Sequence, residues 1–286
     1  MNKILGQNDQ AGAEALIVSY LCRAGKFRDL FINGIKPHVY VALHVFAEQW
    51  SKMPDKVDNN TLIRALVAEP KDLKNVEGWK KLEAVIKDSD NWEASKRYYF
   101  IAKSICHASN YGMKARTFRI NVLQKSDGAI SKTVAECEQM LTKYHTLFPE
   151  IREWHDNVIA QVRKTSMLKN LFGHPRIFTG PHEESVYKEW LAFVPQSTVG
   201  QITNIAFTEL QEEILLGKHP LDFDVLENNH DSILWQSLPE NRDYCSKLVN
   251  DKLCRRLVSP RGEEFWMKSE AQWSDKSWGE MTEIKL

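Results

Sequence analysis

Neither sign of charge dominates this sequence. Its 38 lysines and arginines balance 38 aspartates and glutamates over 286 residues, so the formal net charge is zero. Nucleic-acid binders normally carry a basic surface. Neutrality therefore argues against attraction to phosphate by bulk charge, although a basic groove beside acidic patches would give the same total. Cysteine is sparse and odd in number: Cys22, Cys106, Cys137, Cys245 and Cys254, no two at zinc-ribbon spacing. That pattern excludes a disulfide framework and predicts reduced thiols in the cytoplasm. No apolar run is long enough to cross a bilayer, and the opening MNKILGQNDQ is too short and polar for a signal peptide, so no membrane is expected. No glycine-rich loop opens a helix, which leaves P-loop and dinucleotide-binding readings without support. Repeats and low-complexity tracts are absent as well. What is there is an ordinary globular composition, 43% apolar and 27% charged, long enough for one large domain or two interlocked ones.

Local patterns alternate between the two periods of regular structure. Residues 3–8 read as a strand ending at Asp9, and helical periodicity follows from Ala11 to about Gly25. Pro37 suits the first turn of a helix from His38 to Trp50. The polar stretch 55–92 reads as helix with turns, and a strong helix covers about 93–107. Further helices span 131–146 and 149–165, divided by Pro149. A hairpin around Gly173-His174-Pro175 precedes a long helix, roughly 184–216, that contains Pro195. Two short strands, 223–229 and 232–236, flank His230-Asp231; a helix over about 240–257 and a last strand in FWMKSEAQWS complete the chain. The order predicts an α+β fold with a small antiparallel sheet.

Three short groups hold residues suited to chemistry. Asp9 stands at a strand end, where a carboxylate projects into a cleft, and Glu14 lies one turn into the next helix. Their plain alternative is a helix cap and a solvated first-turn acid. Lys103, His107 and Tyr111 recur every four residues, on one helical face if the helix extends that far. A cation, an imidazole and a phenol in a row suit a polyphosphate and a base or sugar; the alternative is the amphipathic face of a packed helix. His230-Asp231 sits between VLENN and SILWQ, as an exposed acid or as a simple hairpin turn.

Taken together and in order, the three groups resemble one family. DQAGAE (9–14) is similar to motif A of family A DNA polymerases, the bacterial polymerase I type, with Asp followed five residues later by Glu. KSICHASNYGM (103–113) resembles motif B, and HDS (230–232) resembles motif C, usually His-Asp-Glu. KPHVYVALHVF (36–46), NLFGHPRIF (170–178), PQSTVGQI (195–202) and SEAQWSDKSWGEM (269–281) are similar to further family segments in the same order, with a phage flavour.

The resemblance implies a polymerase palm, a small antiparallel sheet with helices, and mostly helical fingers: palm over 1–50, fingers over 51–165, and palm again over 166–286. It implies template-directed DNA synthesis on primer–template DNA from dNTPs, with two Mg²⁺ ions held by Asp9 and Asp231. Lys103 would hold the triphosphate and assist the leaving group. His107 and Tyr111 would line the nucleotide site, and Glu14 would crowd the sugar 2′ position. His230 would touch the primer terminus, Gln196 would contact template or primer, and Arg176 a backbone phosphate. Several positions depart from the family pattern: His107 for Phe, Tyr99 for a triphosphate-binding Arg, Ser232 for the motif C Glu, and Ala192 for Asn. Family enzymes also place an exonuclease and a thumb before motif A, which begins here within ten residues of Met1. The expectation is a thumbless chain, weak on DNA alone, partnered by a second polypeptide carrying thumb and 3′–5′ exonuclease in a bacterial or phage-infected cytoplasm. Two other readings stay open. Single-subunit RNA polymerases share the palm and often carry His-Asp-Ser, and a non-catalytic polymerase-like DNA-binding or assembly protein would account for Tyr99 and Ser232.

Overall fold

The structure, a computed structural model, describes residues 3–180 and 186–284. Strand β1 (Ile4–Gln10) leads into α1 (Ala13–Leu21), α2 (Lys26–Ile32), α3 (Pro37–Val45), α4 (Ala47–Ser51), α5 (Asn59–Val67) and α6 (Trp79–Asp88). Next come α7 (Tyr98–Asn110), α8 (Ala115–Lys125), α9 (Val134–Leu147) and α10 (Pro149–Thr165). The hairpin β2 (Met167–Lys169) and β3 (Pro175–Ile177) precedes the long α11 (Tyr187–Leu215). The chain then forms β4 (Asp224–Asn229), β5 (Ser232–Ser237), α12 (Arg242–Leu253), β6 (Arg256–Val258), β7 (Glu264–Trp266), β8 (Ser269–Ser274) and β9 (Thr282–Ile284). Helices with small antiparallel sheets make this the α+β fold that the patterns predict.

Differences from the expected elements have local causes. α1 stops at Leu21 rather than near Gly25, because the buried Arg28 side chain takes the carbonyls of Ser19 (3.0 Å) and Cys22 (2.6 Å). α7 begins five residues late, after a single tight turn at Ala94–Lys96. α8 escapes the pattern reading because only Ala115, Phe118 and Val122 of its polar sequence are buried. β6, β7 and β9 have three residues each, too few to display a period. Pro37 does open α3, as its fixed φ favours. The expected start of the long helix at 184 lies outside the described residues.

The described chain divides into two compact units. The first holds residues 3–17, 166–179 and 192–284. Its main sheet has the order β4-β5-β1-β8-β9, with antiparallel neighbours throughout. β1, the middle strand, alternates: Ile4, Gly6, Asn8 and Gln10 are buried, while Leu5, Gln7 and Asp9 face outward. Asn8 is fixed by donating to the Ser246 carbonyl of α12 (3.0 Å) and accepting from the Trp235 indole (2.9 Å). Gly6 pairs with Trp235, and a Cβ at Gly6 would fall inside the tryptophan ring, so the close approach requires glycine.

The second unit holds residues 18–165, 180 and 186–191. Its core is aromatic. Phe27, Tyr40, Tyr144 and Phe148 pack edge to face or tilted, as do Phe46, Trp50 and Tyr98. The buried Glu150 holds two segments together. It accepts the Phe27 amide (2.8 Å) and so caps α2, whose own N-cap, Gly25, has no side chain. A Cβ on Gly25 would overlap the Glu150 carboxylate. All five cysteines are free thiols, four of them buried. No helix among the described residues is long and apolar enough to cross a membrane.

Candidate functional site

In the first unit the sheet brings acids together that lie far apart in sequence. Asp9 is the penultimate residue of β1. Its direct partners are Ser232 on β5 and Glu270 on β8. Residues directly opposite in a ladder project from the same face, so Glu270 stands beside Asp9. Asp231 immediately precedes Ser232, in the two-residue turn that joins β4 to β5. That turn is pinned from two sides. The Gln10 amide donates to the Asp231 carbonyl (2.9 Å), and the Thr203 hydroxyl of α11 donates to the His230 carbonyl (2.7 Å). The Gln10 side chain in turn donates to the Thr203 oxygen (2.7 Å). His230 takes a left-handed φ of 55°, which a tight hairpin loop demands at its first position.

The gathering has an electrostatic cost that shows on Asp9. Its carboxyl is raised from an ordinary 3.8 to about 6, first by desolvation, then by the charge of Asp231, then by that of Glu270. The residue is exposed to solvent, yet enough protein surrounds the carboxyl to desolvate it in part. Among the described residues, the charges that shift it are those of Asp231 and Glu270, both negative. Such hard, uncompensated oxygens fit a hard divalent cation such as Mg²⁺. Among the described residues no three or more His, Cys, Asp or Glu side chains form a ready-made metal cage, so an ion here would need further oxygens from a ligand.

Of the other candidates of the first unit, Glu14 and His230 lie next to this pair, and no contact links Gln196 or Arg176 to it among the described residues. Glu14, in the first turn of α1, has its Oε1 3.4 Å from Nε2 of His230. Gly200 of α11 backs the same imidazole: a Cβ there would sit 3.7 Å from Nδ1. Gln196 lies one turn earlier, on the face of α11 that Gly200 shares. Arg176, on β3, lays its guanidinium over Phe178 (4.9 Å) and Phe193 (5.7 Å). The β2–β3 hairpin is held to α11 by the Asn170 side chain, which donates to Gln201 Oε1 (3.3 Å), and by the Leu171 amide on the Thr198 hydroxyl (3.3 Å).

Lys103, His107 and Tyr111 belong to the second unit. Lys103 and His107 are exposed on one face of α7; the helix ends at Asn110, and Tyr111 is its buried C-cap. Gly112 follows with φ 67°, and the Met113 amide returns to the Ala108 carbonyl (2.9 Å). That is a left-handed C-terminal cap, the physical reason for glycine after Tyr111. The His107 and Tyr111 rings stand edge to face, 5.3 Å apart. Asn110 is locked by two buried partners: the Tyr144 hydroxyl donates to its Oδ1 (2.6 Å), and His155 Nε2–H donates to its carbonyl (2.9 Å). Burial lowers the His155 pKa, consistent with a neutral ring. Lys103 Nζ lies 2.7 Å from Asp90 and 4.4 Å from the centre of the Tyr99 ring. The neighbouring His38 is lowered to about 4, by burial and then by the charges of Lys103 and Lys36.

Among known proteins, the chain is similar to the solved polymerase domain of Pol1 from M. smegmatis in complex with DNA primer-template and dNTP, with a TM-score of 0.63 at 14% identity. The fold is that of a DNA polymerase domain. The match covers 96% of this chain and 40% of that one. No protein-family model matches the chain, and no curated protein matches it. The likeness offers no support for a second polypeptide.

Asp90 lies outside every motif segment, while Glu270 and Asn110 lie inside the segments 269–281 and 103–113 without being singled out there. Glu270 had a signal, since it alternates in the last strand beside the polar Gln272. Only the register of β8 on β1 brings it to Asp9. Asp90 and Asn110 act through tertiary contacts for which no local pattern exists.

Proposed function

We propose that this chain carries the template-directed nucleotidyl-transfer machinery of a DNA polymerase, with the first unit palm-like and the second fingers-like. The observation that carries the reading is the adjacency of Asp9 and Asp231, brought together from opposite ends of the sequence, where the charges that shift Asp9, those of Asp231 and Glu270, are both negative.

The reaction joins a primer 3′-oxygen to the α-phosphorus of a dNTP as the bond to pyrophosphate breaks. Negative charge grows on both the attacking and the leaving oxygen. Asp9 and Asp231 would hold two Mg²⁺ ions, which when bound would supply positive charge to those oxygens. The protein's own groups then position the reactants. Lys103 offers a point charge to the triphosphate. Glu14, aligned with His230, occupies the space a 2′-hydroxyl would need and so selects deoxyribose. His230 borders the primer terminus, and Tyr111, fixed by its cap, supports the nascent pair. His107 meets the nucleotide, while Gln196 and Arg176 contact the DNA strands.

The test is primer extension by the full chain with Mg²⁺ and deoxynucleotides. Extension is expected, and Asp231→Ala should abolish it with the circular dichroism spectrum unchanged. Preferential use of ribonucleotides would move the chain to RNA synthesis. DNA binding without extension would make it a non-catalytic relative.

A further inference from the structure

We propose that Asp90 is an internal competitor for the triphosphate-binding ammonium of Lys103, and so sets how tightly this chain holds a nucleotide's phosphates. The proposal rests on the reading of Lys103 given above and adds to it a residue that belongs to none of the motifs.

The contact is a single close one: Lys103 Nζ to Asp90 Oδ2, 2.7 Å, with the side chains 44% and 26% exposed. The ammonium also lies over the Tyr99 ring, 4.4 Å from its centre. Of three N–H donors, one is therefore spent on Asp90 and a second direction is covered by an aromatic face. Tyr99 stands where the family resemblance places an arginine, so Lys103 is the cation left on this turn of α7 to meet a polyanion.

The turn that bears the carboxylate is bound to the start of α7, so rotation of the Asp90 side chain alone leaves its charge in the neighbourhood of Lys103. The Asp90 carbonyl accepts Arg97 Nε (2.9 Å). The adjacent Ser89 hydroxyl accepts the Tyr99 amide (3.0 Å) and donates to the Ile86 carbonyl (2.6 Å). Asp90 Oδ1 is buried with no hydrogen-bond partner among the described residues, so Lys103 alone holds the carboxylate, through Oδ2. A triphosphate drawn to Lys103 thus arrives beside a negative charge that stays in place. A half-exposed ion pair is weak enough to be displaced, yet the repulsion persists after displacement. Neutralising Asp90 should therefore tighten phosphate binding, by roughly three- to fivefold if the repulsion equals an ordinary partly exposed pair.

The experiment measures binding of inorganic tripolyphosphate and of a dNTP to the full chain at low salt, by calorimetry. The variants are Asp90→Asn, Asp90→Glu, Lys103→Ala and Lys103→Ala with Asp90→Asn. Expected results are tighter binding by Asp90→Asn, near-native binding by Asp90→Glu, loss in Lys103→Ala, and no gain from Asp90→Asn once Lys103 is gone. If extension is measurable, KM for dNTP should fall in Asp90→Asn with kcat kept, a split that mere loosening of the turn would not produce. Equal or weaker binding by Asp90→Asn overturns the proposal, as does an equal gain without Lys103. Native binding by Lys103→Ala removes the triphosphate role of Lys103 and the proposal with it. Absent extension alongside the expected binding cycle would sink the polymerase reading alone.

Discussion

Replacing Asp9 with asparagine should make the metal-free protein more stable while abolishing its chemistry. The folded state raises this carboxyl from 3.8 to about 6. At roughly 1.36 kcal/mol per pKa unit, that sets a ceiling of about 3 kcal/mol. Asp9 is exposed, so solvent screening reduces the expected gain to about 1 kcal/mol. The sign follows from where the proton sits. Above pH 6 the group is ionised in both folded and unfolded chains, and the folded chain alone bears the repulsion. Between 6 and 3.8 the folded chain takes up the proton first, so the native protein recovers stability as pH falls. Below 3.8 both forms are neutral and the penalty is gone. Asp9→Asn should therefore gain stability at pH 8 in EDTA, a rise of roughly 2–4 °C in melting temperature, and gain nothing near pH 3.5. Mg²⁺ should then stabilise the native chain and leave the variant unmoved, since an ion that binds the folded form alone shifts its unfolding equilibrium. An Asp9→Asn protein no more stable than native at pH 8 without metal would refute the claim that these acids are crowded.

Three further outcomes can be checked separately. Gly6→Ala must push its Cβ against the Trp235 ring and should cost roughly 1–3 kcal/mol in urea unfolding; an unchanged midpoint would mean that the ring yields freely. Glu14→Ala should raise ribonucleotide incorporation by about tenfold or more in single-nucleotide extension, and unchanged discrimination would assign sugar selection elsewhere. Glu270→Gln should bring the Asp9 pKa down in a carboxyl NMR titration, because one of its two like charges is removed; an unmoved titration would mean that the two side chains do not sense each other.

Much of the fold was legible because its signals are local. The alternation of β1, proline at the start of α3 and α10, and His230-Asp231 between apolar runs all survive into the structure. The convergence of Asp9 with Asp231 was legible only through the ordered resemblance, since no local rule pairs a strand at the start of a chain with a hairpin near its end. Glycine after Tyr111 was read as part of a motif, and the structure adds the cap geometry that demands it. Out of reach were features set by contacts between separate elements: Glu150 capping α2, and Asp90 facing Lys103. Each depends on a partner outside the element whose pattern is read. α8 was missed for another reason, because only three of its residues are buried and an apolar residue, Ile120, lies exposed off that face, which blurs the period.

The departure at Ser232 takes on a different meaning once the register is known. The family resemblance places a glutamate after the motif C aspartate, and its loss reads from sequence as a weakening of the acidic centre. In the sheet, Ser232 is 2% exposed, and its hydroxyl accepts from Nε2 of the Gln7 side chain (3.1 Å). A carboxylate there would be buried opposite Asp9 and next in sequence to Asp231, a costly place for a further charge. Glu270 stands on the other flank of Asp9, at a solvent-exposed position where the same charge is screened. Asp9 therefore still has two acidic neighbours, one from the hairpin turn and one from the strand across the sheet. Of the two ladder partners of Asp9, Glu270 carries the charge and Ser232 does not, and the raised carboxyl of Asp9 registers it.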